Sequence, residues 1–196
     1  MNQHVRAALE ESAAALESLL ADDRAHAAIV AAGRALAETF ERGGRAFACG
    51  NGGSMADAIH FAEELSGKFR RERRPLPATA ISDPGHITCA ANDYGYEKIF
   101  SRYLEAHGRR GDALLAISTS GKSSNVLEAV KSGRQIGLRV IALTGSTGTP
   151  LGREAEIEIC TPCGAWSDRI QELHIKVIHI LVELVERRLF PENYTS

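Results

Sequence analysis

The sequence predicts an α/β protein: a single domain built on a five-stranded parallel sheet flanked by helices, with an N-terminal helical hairpin. Three observations predict it. Five short apolar runs follow one another after residue 44, and helix-forming stretches separate most of them. That alternation builds a parallel sheet with helices on both faces. Most of the runs end in a polar segment rich in Gly, Ser or Thr, and in such sheets ligands sit beyond the carboxyl ends of the strands. The first forty residues, by contrast, are rich in Ala, Leu and Glu and contain no proline.

The hairpin comes first. Leu9, Leu16, Leu19 and Leu20, then Ile29, Val30, Leu36 and Phe40, recur at helical spacing. Asp22 and Asp23 are placed to cap a second helix that ends near Gly43 and Gly44. Residues 1–44 form a unit whose apolar face must be buried against the rest of the chain or another copy, and residues 45–196 form the main domain. The first strand is 45–49, ending in Gly50-Asn51-Gly52-Gly53-Ser54, with a helix over 55–66. The second is 78–81, ending at Ser82 and Asp83. The third is 113–117, ending in Ser118-Thr119-Ser120-Gly121, with an amphipathic helix over 126–136. The fourth is 140–143, ending at Thr144 and Gly145. The fifth is 157–160, and a long helix follows over 167–189. The basic run 70–74 reads as a solvated loop.

Composition excludes several classes. The chain has 196 residues, 44% hydrophobic and 24% charged, which is enough for one core and unlike a disordered chain. Lys and Arg number 23 against 25 Asp and Glu, a net charge of −2, so nucleic acid is not an expected partner. No apolar run approaches the roughly 18 residues of a membrane span. The acidic start lacks the apolar stretch of a signal peptide, so a cytoplasmic protein is expected. Cys49, Cys89, Cys160 and Cys163 are too few for a disulfide scaffold at this length.

The segment 118–125 carries the clearest chemistry. Ser118, Thr119, Ser120 and Ser123 surround a glycine between a buried strand and a helix N-terminus. An ordinary N-cap accounts for one hydroxyl, not four, and the arrangement favours a phosphate. Gly121-Lys122-Ser123 imitates the end of a nucleotide-binding loop, but Ala116 stands where its first glycine belongs. Gly50-Asn51-Gly52-Gly53 imitates a dinucleotide turn, but Met55 replaces its third glycine. On the next helix, His60 and Glu64 are four apart and share a face. Taken alone they read first as a hydrogen-bonded surface pair and second as half of a metal site.

Four blocks carry a family resemblance: CGNGGSMADAIHFAEELSGKF, AISDPGHITCAANDYGYEKIFSRY, LLAISTSGKSSNV and SDRIQELHIKVIHILVELVE. In this order and spacing they resemble the phosphoheptose isomerases of the sugar-isomerase (SIS) family, over nearly the whole chain. The resemblance implies an aldose–ketose isomerase. It would convert D-sedoheptulose 7-phosphate to D-glycero-D-manno-heptose 7-phosphate through an enediol, the first step of nucleotide-activated heptose synthesis. It implies Asn51, Gly52, Gly53, Glu64, Asn92, Asp93, Ser118, Thr119, Ser120, Ser123 and Gln171 as substrate contacts, with Glu64 and His179 as the acid–base pair. It implies one zinc per active centre, held by His60, Glu64, Gln171 and His179, and a homo-oligomer, a tetramer, in the cytoplasm. Asp168 and Arg169 would support the site.

Departures from the family pattern are Lys68 in place of an arginine, Met55 after the Gly-Gly-Ser turn, the loop 147–150, and Cys160-x-x-Cys163. Gln171 and His179 are eight apart, a rise of about 12 Å along one helix. They can meet at one ion only through a bent geometry or from different subunits. Trp166 reads as a packing or interface residue. The rival reading is a non-enzymatic SIS-fold protein that binds a replication initiator; the presence of both Glu64 and His179 favours the enzyme. A sugar-phosphate-sensing transcription regulator would need an N-terminal DNA-reading domain.

Overall fold

The computed structural model describes residues 1–161, 164 and 166–195. Its elements are α1 (Asn2–Leu20), α2 (Asp23–Glu41), β1 (Ala46–Cys49), α3 (Gly53–Ser66), β2 (Ala78–Ala80), α4 (Pro84–Tyr94) and α5 (Ile99–His107). Then follow β3 (Ala113–Ser118), α6 (Ser124–Ile136), β4 (Arg139–Thr144), α7 (Pro150–Glu154), β5 (Ile157–Cys160) and α8 (Ser167–Leu189). Short 3-10 turns occupy Tyr96–Lys98 and Pro191–Tyr194.

All five strands run parallel in the order β2-β1-β3-β4-β5. The winding therefore reverses between β1 and β3, where the carboxyl ends of two neighbouring strands send their loops to opposite sides and leave a crevice. The strands read as unbroken apolar runs because both faces are covered; all six residues of β3 are buried. Side chains still alternate between two cores. Ala46, Ala48, Leu115 and Ile117 join α2, α3 and α8 on one face. Phe47, Cys49, Leu114 and Ala116 join α4, α5, α6 and α7 on the other.

The hairpin forms as its residues require. Asp22 caps α2, accepting from the backbone N–H groups of Arg24 and Ala25. Ile29, Leu36 and Phe40 are buried against the sheet-side core. In contrast, Val5, Leu9, Leu20 and Val30 are more than half exposed, so one apolar face of the hairpin has no cover within this chain.

The loop 70–74 differs from expectation. The Arg73 side chain is 1% exposed and pairs with Glu186, which is 0% exposed, at 2.7 Å. A count of like charges reads this run as solvated, but the last carbonyls of α3 need donors and one arginine turns inward to supply them. Cys49 is buried and its thiol is pushed up to about 12 by burial. Cys160 ends β5, whereas Cys163 lies outside the described residues. Trp166 is 69% exposed. Among the described residues no helix is long and apolar enough to cross a membrane.

Candidate active site

The crevice between β1 and β3 holds a pocket of about 320 Å³, within the range of small-molecule sites. The β1 side supplies Asn51, Gly52, Gly53 and Ser54; the β3 side supplies Ser118, Thr119 and Ser123; α8 supplies Ser167 and Gln171. Gly52 has φ +57°, a conformation that favours glycine, and starts α3. A Cβ on Gly53 would lie 2.6 Å from the Gln171 amide, so glycine here lets that amide lie against the first turn of α3.

The hydroxyl loop is built for an anion rather than for its own helix. Ser123 occupies the N-cap position of α6 but makes no side-chain capping bond. Its Oγ lies 3.1 Å from Ser118 Oγ, which is 3.5 Å from Ser120 Oγ. Clustered hydroxyls at a helix N-terminus can donate together to phosphate oxygens. The two loops are tied by a reciprocal amide pair: Asn51 Nδ2 donates to Asn125 Oδ1 at 2.9 Å, and Asn125 Nδ2 donates to Asn51 Oδ1 at 2.8 Å. Tyr96 OH also donates to Asn51 Oδ1, at 2.8 Å.

A second group of side chains lies further along the same two helices. His60 Nε2 is 3.2 Å from Glu64 Oε1 and 3.1 Å from His179 Nε2. One ligand atom from each of these three residues falls within 4.8 Å of the others. Zinc ligands at about 2.1 Å in a tetrahedron stand about 3.4 Å apart, so two of the three spacings already match. Two imidazoles and a carboxylate also form a donor set that zinc accepts. The residues fit the metal, with the remaining coordination open.

The structure thus divides the predicted residues into three places. Asn51, Gly52, Gly53, Ser118, Thr119, Ser123 and Gln171 line the pocket, and Ser120 is exposed beside it. His60, Glu64 and His179 meet on α3 and α8. Asn92 and Asp93 bond to each other on the exposed face of α4 and do not line the pocket within one chain. Lys68 pairs with Glu72 at 3.5 Å and is 59% exposed. Arg169 pairs with Glu11 and Glu172, fastening α8 to α1, while Asp168 accepts from the Arg169 backbone N–H.

Sequence reading sets His174 apart from the ligand face of the last helix as a structural residue, and it does not single out Asn125, Tyr96 or Asp57. Asn125 and Tyr96 hold Asn51. Asp57, one turn before His60, is buried with Oδ2 unpartnered; burial raises its carboxyl to about 6, against the pull of His60. His174 is fully buried with neither ring nitrogen partnered. Burial lowers it to about 4, against a smaller opposing effect from the Thr144 backbone. A polar residue at a core position of a helix was the available signal in the case of Asn125 and Asp57.

Comparison with known proteins agrees with the fold. Residues 9–145 match the family model described as a SIS domain. The chain is 52% identical to the phosphoheptose isomerase of Salmonella paratyphi B and 50% identical to that of Aeromonas hydrophila. Each match spans 94% of this chain and 96% of the relative. A solved phosphoheptose isomerase from Francisella tularensis superposes with a TM-score of 0.87 at 36% identity, covering 94% of this chain and 97% of that one.

Proposed function

This chain belongs to the phosphoheptose isomerases of the SIS domain family, and from that premise we propose how it converts D-sedoheptulose 7-phosphate to D-glycero-D-manno-heptose 7-phosphate. One observation carries the reading of the site. The two helices that enter the hydroxyl pocket, α3 at Gly53 and α8 at Gln171, also carry the His60–Glu64–His179 group. Phosphate recognition and proton transfer thus share a rigid pair of helices.

Ser118, Thr119, Ser120 and Ser123 hold the phosphate with the first turn of α6. Asn51, with Gly52 and Gly53, lines the way in for the sugar. The Glu64 carboxylate takes a proton from C1, next to the C2 carbonyl, and returns one at C2. The His179 imidazole serves O1 and O2, so the hydroxyl proton moves from one oxygen to the other as the enediol forms and collapses. His60, Glu64 and His179 would hold zinc, which would supply Lewis-acid polarisation of the carbonyl.

Gln171 packs against Gly53 in the pocket, away from His179 along α8. A fourth donor from Gln171 to the same ion would need a bent arrangement of α8 or a neighbouring copy. The uncovered apolar face of Val5, Leu9, Leu20 and Val30 supports a homo-oligomer, which we assign as a tetramer in the cytoplasm. The test is direct: incubation with sedoheptulose 7-phosphate yields the aldose phosphate, and light scattering gives a multiple of the 21.1 kDa chain. A folded protein that binds the sugar phosphate and never converts it overturns the reading.

A further inference from the structure

α3 ends at Ser66, and its last carbonyls need donors that the helix cannot provide. The Leu76 backbone N–H donates to the Leu65 carbonyl at 3.0 Å, and one side chain reaches this and its neighbours. Arg73 Nη2 donates to the Glu64 carbonyl at 2.7 Å, and Nη1 donates to the Leu65 and Gly67 carbonyls at 2.8 Å each. Arg73 Nε donates to Glu186 Oε1 at 2.7 Å. The second Glu186 oxygen accepts from Tyr194 OH at 2.8 Å. Both charged side chains are removed from water, at 1% and 0% exposure.

The placement matters as much as the bonds. Arg73 grips the main chain at Glu64 itself. Glu186 stands seven residues after His179 on α8, two turns along the same face. A single guanidinium therefore joins the helix that carries His60 and Glu64 to the helix that carries His179. We propose that Arg73 and Glu186 are positioning residues for the isomerisation: their buried pair fixes the separation of α3 and α8, and so holds the Glu64 carboxylate within reach of the His179 imidazole.

The chemistry suits arginine alone. A planar guanidinium presents five donors in a fixed fork and here serves five acceptors, the Arg74 carbonyl at 3.3 Å among them, which a lysine ammonium cannot do. A buried ion pair adds little net stability over an apolar replacement, so what this pair contributes is the geometry it sets. Misplacing catalytic groups by about 1 Å costs up to about 10²-fold in rate.

This inference rests on Glu64 and His179 being the proton-moving pair, and the experiment separates the two. Full-length Arg73→Lys, Glu186→Gln and Tyr194→Phe are checked for folding by circular dichroism. Turnover, KM for sedoheptulose 7-phosphate and affinity of the metal-free protein for Zn²⁺ alone are then measured. Arg73→Lys and Glu186→Gln should lower kcat and weaken Zn²⁺ binding by about tenfold or more, the scale of groups that orient metal ligands. KM should stay within about twofold, because the phosphate loop lies elsewhere. Tyr194→Phe should shift both in the same direction by less, and it keeps the test readable if the other two fail to fold. Folded variants with wild-type kcat and wild-type Zn²⁺ affinity overturn the inference, whatever their melting temperatures. If the wild type binds Zn²⁺ but does not isomerise the sugar, the isomerase reading falls. The Zn²⁺ measurement then still decides: weakened binding in the variants supports the clamp and unchanged binding overturns it.

Discussion

The pocket at the β1–β3 crevice and the cluster on α3 and α8 solve opposite problems. The pocket is lined by amides, hydroxyls, glycine backbone and Ile117, with no carboxylate, imidazole or cation among the described residues that line it. The cluster brings together three ionisable side chains, with Glu63 3.8 Å from His60 and the Phe69 ring beside His179. A neutral, hydrogen-bonding pocket can hold a charged phosphate without taking part in proton exchange. A cluster of ionisable groups moves protons and binds metal but has no means of gripping a sugar phosphate. The separation means that affinity and turnover should respond to different substitutions.

The largest expected effect tests that separation from the cluster side. Glu64→Gln keeps the shape and removes the base, so kcat should fall by at least about 10²-fold with substrate affinity nearly unchanged. His179→Gln should do the same. Isomerisation rate and equilibrium binding measured together check it, and near-normal turnover in Glu64→Gln would sink the assignment of roles.

Next is the acid stability of the helices that carry the cluster. His174 is lowered to about 4 by burial, so the unfolded chain binds the extra proton between pH 6.5 and 4, and stability is lost as pH falls through that window. Asp57 is raised to about 6 by burial, so the folded chain holds the extra proton, and stability is lost as pH rises from about 4 to 6. Each contributes at most about 3 kcal/mol, with opposite signs, and the two offset over the shared window. Asp57→Asn should therefore make the chelated protein more acid-labile. His174→Phe should make it lose stability as pH rises from 4 to 6. Urea unfolding at pH 4.5 and pH 6.5 in the presence of a chelator reads both slopes, and parallel slopes in the two variants would refute the offset.

A smaller effect is expected from the pocket side. Ser118→Ala or Ser123→Ala removes one hydroxyl from a charged ligand, worth about 1.5 to 3 kcal/mol. KM should rise about tenfold or more while kcat stays close to wild type. Because no lining group titrates, the affinity should vary with pH only through the phosphate, whose second ionisation lies near about 6. A profile with any further inflection would place an ionisable protein group in the pocket. The smallest effect belongs to Cys160→Ser, which should leave both kcat and KM unchanged, since Cys160 lies in neither group of residues.

The two regions also differ in how far the chain announces them. The hydroxyl loop is contiguous, so Ser118 to Ser123 could be read from the order of residues, as could the five strands and the Asp22 cap. His60 and Glu64 share a helix face by local arithmetic, but their meeting with His179 depends on packing across 119 residues; only the family resemblance named it in advance. Asn125 and Arg73 were missed for a physical reason. Local composition describes an asparagine in a first helical turn as a cap and an arginine in a basic run as solvated. Which carbonyls remain orphaned, and so recruit such side chains inward, is settled only when distant segments come together.

The Asn51–Asn125 amide pair joins residues 74 apart in sequence, across strands that pair only after β2 and its flanking helices have been laid down. Contacts of such long range form slowly, because chain entropy is lost before they are rewarded. The pocket therefore belongs to the completed sheet and to no earlier stage, and a molecule that occupies it binds only fully closed chains. Sugar phosphate or inorganic phosphate should accordingly raise the unfolding midpoint in proportion to the logarithm of its concentration. It should do so mainly by slowing the opening of the central strand pair, so that the substrate also acts as a kinetic lock on the fold that recognises it.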